Sequence, residues 1–246
     1  QVNSDDLLNI QYTSGTTGFP KGCMQSQKFW IMTGCIAALR NKGIKSVLAD
    51  APFFYFDDHY MVIMGLYSGM TVHVSEGMSV SRFLDWIDNH QIELAYFPTP
   101  LLETLPSPRD SATSLKKFIG FALNAEMTRL VEERFNVLTR DSFGMTEVGV
   151  GLLVPDTVNS DAALDSCGLP APFRDVKIVD DNGNEVESGS PGELWIKGPG
   201  IINGYYKKPK ANKETFVDGW FRTGDVFIAD ALGFYTIVGR MKDMIR

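Results

Sequence analysis

Residues 12–22 read Tyr12-Thr13-Ser14-Gly15-Thr16-Thr17-Gly18-Phe19-Pro20-Lys21-Gly22, crowding four aliphatic hydroxyls, three glycines and one lysine into a short stretch. Glycines let backbone N–H groups curl toward an anion, while hydroxyls and an ammonium add further donors. That chemistry is polyphosphate binding. Lys21 follows Gly18 by three residues and precedes Gly22, so the pattern differs from the Gly-x-x-x-x-Gly-Lys-Ser/Thr loop. A second chemical pair is Thr146-Glu147, where a lone carboxylate with a hydroxyl beside it suits Mg²⁺, an ion that takes oxygen ligands and shares them with substrate phosphates. Taken alone, each feature has a plainer reading: a Ser/Thr/Gly-rich surface turn, and a solvated surface acid.

Four blocks recur in order along the chain: the loop above, Ser142-Phe143-Gly144-Met145-Thr146-Glu147, Gly219-Trp220-Phe221-Arg222-Thr223-Gly224-Asp225, and Gly239-Arg240-Met241-Lys242-Asp243. In this combination the chain resembles the adenylate-forming superfamily: acyl-CoA synthetases, adenylation domains of nonribosomal peptide synthetases, and firefly-type luciferases. The resemblance implies ATP-dependent activation of a carboxylic acid as an acyl-adenylate, followed by transfer to coenzyme A, with ATP, Mg²⁺ and coenzyme A as the small molecules handled. It implies that Thr13, Ser14, Gly15, Thr16, Thr17, Gly18 and Lys21 hold the β- and γ-phosphates, and that Thr146, Glu147 and Lys21 are the catalytic set, with Glu147 as metal ligand. Asn124, Ala125, Asp141, Phe143, Asp225 and Arg240 then belong to the adenine and ribose pocket. Asp225 would accept both ribose hydroxyls, and Lys242 would be the hinge.

The sequence departs from the family pattern in two places. Phe143 stands where tyrosine is usual, so a ring face for adenine remains without its hydroxyl. Phe121-Ala122-Leu123-Asn124 replaces the usual Gly-Gly-Ala-Pro and puts side-chain bulk where glycine would leave room for an acyl group. On the acyl side, Pro52-Phe53-Phe54-Tyr55-Phe56-Asp57-Asp58-His59-Tyr60 sets aromatic rings beside acids. Tyr55, Asp57 and Asp58, with Gly144 and Met145, are the acyl-binding candidates, and the rings and acids suit a cationic head group such as a trimethylammonium. In the alternative reading Asp57 or Asp58 caps a helix beginning at His59 and the rings are core. The segments 121–124 and 143–147 also resemble the carnitine and crotonobetaine-CoA ligase branch.

These residues need elements to position them. Leu7-Leu8-Asn9-Ile10-Gln11-Tyr12 is an apolar run before the loop, and residues 25–39 look helical after it, giving a strand–loop–helix context. Candidate strands at 46–51, 70–74, 93–97, 117–123 and 137–142 alternate with amphipathic stretches at 80–90 and 125–135, the pattern of a mostly parallel sheet. After Gly151 the texture turns to short strands and turns, with Asp180-Asp181-Asn182-Gly183 as a hairpin signal between 176–179 and 193–197. The expected architecture is α/β, a mostly parallel sheet layered with helices, followed by a β-rich distorted barrel. The expected division is an α/β nucleotide- and acyl-binding part over 1–151, a β-rich part over 152–242, and the start of a linker at 243–246. Trp195, Trp220 and Phe221 read as packing residues.

Composition narrows the function classes. A net charge of −7 argues against a nucleic-acid groove, which needs a basic face. Three widely spaced cysteines, Cys23, Cys35 and Cys167, give neither a disulfide framework nor a zinc pattern, and His59, His73 and His90 are scattered. Apolar runs stay short of the ~18 residues of a membrane span and no signal-peptide pattern opens the sequence, so the expected location is cytoplasmic. The resemblance also implies an incomplete enzyme, lacking a segment before the phosphate loop and a small mobile domain that bears the family's catalytic lysine; on that expectation the isolated chain is inactive. Three readings stay open: an acid:CoA ligase, an amino-acid adenylating domain in which Asp57 pairs with a substrate ammonium, and a silent nucleotide-binding module. The acid itself, and a homodimer, are likewise open.

Overall fold

The computed structural model describes residues 1–13 and 20–243. In chain order the elements are β1 (Leu7–Thr13), β2 (Lys21–Ser26), α1 (Gln27–Arg40), β3 (Ser46–Ala49), α2 (Phe56–Ser68), β4 (Thr71–Val74), α3 (Val80–His90), β5 (Leu94–Tyr96), β6 (Lys117–Ile119), α4 (Ala125–Phe135) and β7 (Leu138–Arg140). There follow β8 (Ser142–Met145), β9 (Gly149–Leu153), α5 (Asp161–Leu164), β10 (Leu169–Pro170), β11 (Asp175–Val179), β12 (Gly192–Lys197), α6 (Pro209–Thr215), β13 (Phe216–Val217), β14 (Trp220–Ala229) and β15 (Tyr235–Arg240). Contacts group the described chain into two compact units built from discontinuous segments. One comprises Gln1–Met32, Phe143–Leu153 and Ser166–Arg246; the other comprises Thr33–Ser142 and Val154–Asp165. The change of sequence texture near 151 divides the chain once, whereas these units interleave.

The unit containing Thr33–Ser142 is the α/β part. Its five strands lie in the order β4-β3-β5-β6-β7, every pairing parallel. β3 and β6 are buried at every position, as strands covered on both faces must be. Phe83 and Ile87 on α3 and Val131 and Phe135 on α4 pack with Phe97 and Phe118 into one core, where Phe118 and Phe135 meet edge to face at 5.8 Å. From β3 the chain passes outward to β4, and from β5 to β6 on the other side. The order therefore switches direction between β3 and β5, the kind of place where open α/β sheets bind ligands beyond the strands' carboxyl ends. Asp50 directly follows β3, and Tyr96 ends β5.

The other unit is β-rich. β1 and β2 form an antiparallel hairpin; β10-β9-β8 make a small sheet; β11-β12-β14-β13 are antiparallel, with β15 added on β14. Leu194, Ile196, Phe221 and Phe227 centre its core. The hairpin signal at 180–183 is a turn closed by Gly183 N–H donating to Asp180 O, between antiparallel β11 and β12.

Several local expectations are corrected. The helix expected over 25–39 is α1, but β2 precedes it, pairing Lys21 with Thr13 and Tyr12 with Gly22. The strand expected over 117–123 stops at Ile119, because Ala122 turns to φ 54° and Asn124 opens α4. The strand expected over 137–142 is two elements, β7 and β8, in different sheets. α2 begins at Phe56 with Tyr55 at its N-cap, so neither Asp57 nor Asp58 caps a helix starting at His59.

Candidate nucleotide and phosphate site

Within the β-rich unit a cavity of about 640 Å³ collects Thr13, Lys21, Gly144, Met145, Thr146, Glu147, Thr223, Gly224 and Arg240. Four segments far apart in sequence deliver them. The hairpin brings Thr13 and Lys21 opposite each other, with the Thr13 hydroxyl 3.5 Å from Lys21 O. Ser14, Gly15, Thr16, Thr17 and Gly18 lie outside the described residues. Buried Gln25 on β2 donates to Gln11 (3.2 Å) and to Thr146 O (3.0 Å), tying the hairpin to the turn that carries Glu147.

That turn links β8 to β9 and is closed by Val148 N–H donating to Met145 O at 3.0 Å. Gly144 permits the close strand approach, because a Cβ there would stand 2.8 Å from Gly149 O. Glu147 is only 6% exposed, and its Oε1 accepts from the Tyr205 hydroxyl at 2.9 Å. Burial first, and then the Glu147 carboxylate, push the Tyr205 phenol up, so it stays protonated and donates. Lys21 Nζ sits 4.1 Å from the centroid of the same ring.

β14 and β15 supply the rest. Asp225 and Arg240 are register partners, and the Arg240 guanidinium lies 3.1 Å from Asp225 Oδ1 as an ion pair without hydrogen-bond geometry, leaving that buried oxygen without a donor. Burial raises the Asp225 carboxyl; Arg240 opposes the shift while Glu147 and Glu193 add to it. Glu193 on β12 accepts from Trp195 Nε1 (2.9 Å), Arg222 Nε (3.0 Å) and Gly224 N–H (3.0 Å), which fixes the backbone before Asp225. Glu193 and Tyr205 escaped the sequence reading. Arg222 lay inside a recognised block, but only the fold shows that it pairs with Glu193.

Other expected residues sit elsewhere. Phe143 is half-buried and packs edge-on to Phe227 at 5.0 Å. Trp195 and Phe221 are buried, and Trp220 is half-buried with Lys177 over its ring at 4.7 Å. Lys242 is exposed in the turn after β15, whose neighbour Met241 donates from N–H to Gly224 O at 3.0 Å.

In the α/β unit Asn124 is the N-cap of α4, its side chain accepting from Met127 N–H at 2.8 Å, and Ala125 N–H donates to Asp165 Oδ1 at 2.7 Å. Asp141 is buried and accepts from Ser142 N–H at 2.7 Å; burial pushes its carboxyl up to about 6. Tyr55 is exposed, its ring against Phe54 and its carbonyl O 3.0 Å from His59 Nδ1. Asp58 is buried and accepts from Ala51 N–H at 2.9 Å, while its Oδ2 has no partner. Burial pushes both Asp58 and buried Asp50 up to about 6, with the Asp58 charge adding to the shift at Asp50 and the Asp57 charge adding to that at Asp58. Asp57 is raised by the same cause, and the Tyr96 hydroxyl is 3.5 Å from Asp57 O.

The donor set fits magnesium in one specific way. Among the described residues no group of three or more His, Cys, Asp or Glu is arranged to cage a metal. Glu147 gives one oxygen to Tyr205 and keeps further lone pairs. A single carboxylate beside a threonine hydroxyl is the set an ion needs when phosphates supply its other ligands.

The family model of AMP-binding enzymes matches residues 1–206. The chain belongs to the AMP-binding enzyme family. The chain is 31% identical to a feruloyl-CoA synthase of Amycolatopsis sp (99% of this chain, 51% of that protein) and 32% identical to a 2-succinylbenzoate–CoA ligase of Bacillus licheniformis (99% and 52%). Its fold matches O-succinylbenzoate coenzyme A synthetase from Bacillus subtilis in complex with ATP and magnesium ion, with a TM-score of 0.89 at 28% identity over 99% of this chain and 52% of that one. The chain therefore has the expected α/β and β-rich architecture, and it spans about half the length of the curated relatives it matches.

Proposed function

We propose that the protein takes part in ATP-dependent activation of a carboxylic acid as an acyl-adenylate and in its transfer to coenzyme A. The observation that carries this reading is the convergence of Thr13, Lys21, Glu147 and Arg240 on one cavity, with buried Asp225 paired to Arg240 behind it. Lys21 and the loop donors bind the β- and γ-phosphates through charge-assisted bonds. Thr146 and Glu147 hold the magnesium that, when bound, neutralises phosphate charge. Asp225 receives the ribose hydroxyls, steadied by its pairing with Arg240. Phe143 is the adenine candidate of the β-rich unit, and Asn124, Ala125 and Asp141 are those of the α/β unit. The substrate carboxylate then attacks the α-phosphorus in line and pyrophosphate leaves; next the coenzyme A thiol attacks the acyl carbonyl and AMP leaves. Positioning and charge stabilisation carry both steps. Lys242 serves as hinge.

Tyr55, Asp57 and Asp58 are the acyl-binding candidates of the α/β unit, and Gly144 and Met145 those of the β-rich unit. The switch between β3 and β5, with Asp50, Asp57, Asp58, Tyr60 and Tyr96 at its carboxyl end, supports a ligand there. A cationic, betaine-type acid is favoured by one observation: none of the ion pairs among the described residues involves Asp50, Asp57 or Asp58. No described helix is long and apolar enough to cross a membrane, and the acidic composition suits a cytoplasmic enzyme. The test is pyrophosphate release and thioester formation by the full-length protein with fatty, aromatic and betaine-type acids, each with ATP and coenzyme A. Release with amino acids but no thioester would favour the amino-acid adenylating reading instead. Release with none would overturn both.

A further inference from the structure

We propose that Tyr205 is a positioning residue for the phosphate-activating pair, its hydroxyl fixing the Glu147 carboxylate and its ring face seating the Lys21 ammonium. The inference rests on the proposed roles of those two residues. Tyr205 is 2% exposed, yet every polar part of it is engaged. Its hydroxyl donates to Glu147 Oε1 at 2.9 Å, and Lys21 Nζ stands 4.1 Å from the ring centroid. Its backbone is clamped by Asn212, which accepts from Tyr205 N–H at 2.7 Å and donates to Tyr205 O at 3.1 Å. A bridge to Cys23 and the bonds Met24 N–H to Gly204 O (2.9 Å) and Tyr206 N–H to Gly22 O (2.8 Å) lock this segment to β2. Gly204, at φ 117°, lets the clamp close: a Cβ there would meet Asn212 at 3.1 Å.

The placement solves an electrostatic problem. Lys21 and Glu147 both act on the field at Cys23, so they are near neighbours of opposite charge, but none of the ion pairs among the described residues joins them. A direct ion pair would set each charge to neutralising the other, in competition with phosphate and metal. Tyr205 gives the carboxylate a neutral donor and the ammonium a neutral π-face, so each is held in place with its charge unspent.

The test is ATP binding by the full-length protein, followed calorimetrically across a magnesium titration. Tyr205→Phe keeps the ring and removes the hydroxyl. The half-saturating magnesium concentration for ATP binding is expected to rise about tenfold, with affinity in the absence of magnesium unchanged, as loss of one hydrogen bond to a charged group implies. Tyr205→Met removes the ring as well, and should also weaken magnesium-free ATP binding through Lys21. Should that variant fail to fold, Tyr205→Phe decides alone. A magnesium dependence in Tyr205→Phe equal to that of the native protein would overturn the proposal. Native protein that binds Mg·ATP but activates no acid would overturn the ligase reading and leave the Tyr205 comparison decisive. Native protein that binds no ATP would overturn both.

Discussion

A carboxylate that is 6% exposed and accepts a hydrogen bond from a buried tyrosine is oriented before any ligand arrives, and this makes Glu147 a sharp test at the scale of a single residue. Glutamine in its place still offers Oε1 to Tyr205 but has lost the charge that holds a cation against phosphates. In the full-length protein Glu147→Gln is expected to slow acid-dependent pyrophosphate release by ~10²-fold or more, with the melting temperature nearly unchanged. Unaltered release, or a collapsed melting curve, would take Glu147 out of the site. The sequence made Glu147, Lys21, Asp225 and Arg240 legible because their chemistry sits in compact blocks of unusual residue types. Tyr205 and Glu193 were not legible. Their importance lies in partners 58 and 29–31 positions away in the numbering, at Glu147, Arg222 and Gly224, and no local pattern encodes such a pairing.

At the scale of elements, α3 and α4 begin and end where the residue pattern places them, over 80–90 and 125–135. Both carry clear amphipathic periodicity, and both end at a residue in the left-handed region, Gln91 and Asn136. Strand ends were less legible, since β3 and β6 are short buried runs whose limits depend on pairing and not on side-chain type. β2 was not legible for the same reason: Lys21-Gly22-Cys23-Met24-Gln25-Ser26 lacks an alternating apolar face, and only the register with β1 makes it a strand, so the helix expected over 25–39 begins at Gln27. Asn124 joins an element's stability to the proposed adenine pocket. Asn124→Ala removes the cap on Met127 N–H and should cost about 1 kcal/mol in urea unfolding, whereas Asn124→Ser should hold most of it. If Asn124 also meets the nucleotide, the serine variant will raise KM for ATP despite its retained stability; an unchanged KM would leave Asn124 with the cap alone.

For the whole molecule, the buried acids Asp50, Asp58 and Asp141 set an unusual dependence of stability on pH. Each is raised from 3.8 to about 6, chiefly by burial. The folded chain therefore binds more protons than the unfolded chain between those values, and this contribution to stability, full below about pH 4, is lost as pH rises through 6. Glu93 and Asp110 are lowered by Lys116 and Arg134 respectively, so their contribution acts in the opposite sense, lost only under more acidic conditions. Urea unfolding is expected to show lower stability at pH 7.5 than at pH 5. Asp58→Asn, whose amide oxygen can still accept from Ala51 N–H, should raise stability at pH 7.5 by on the order of 1–2 kcal/mol and flatten the slope. A slope unchanged in that variant would mean that Asp58 ionises normally. The sequence by itself determined the family, the α/β and β-rich textures, and the residue types proposed for phosphate, metal and ribose, because each is written in local composition and spacing. Only the tertiary structure decided that Lys21 and Glu147 share one tyrosine, that Asp58 is buried beside Asp50, and that the compact units interleave along the chain. Those facts depend on which distant segments exclude water together, and burial is a property of the assembled fold rather than of any stretch of sequence.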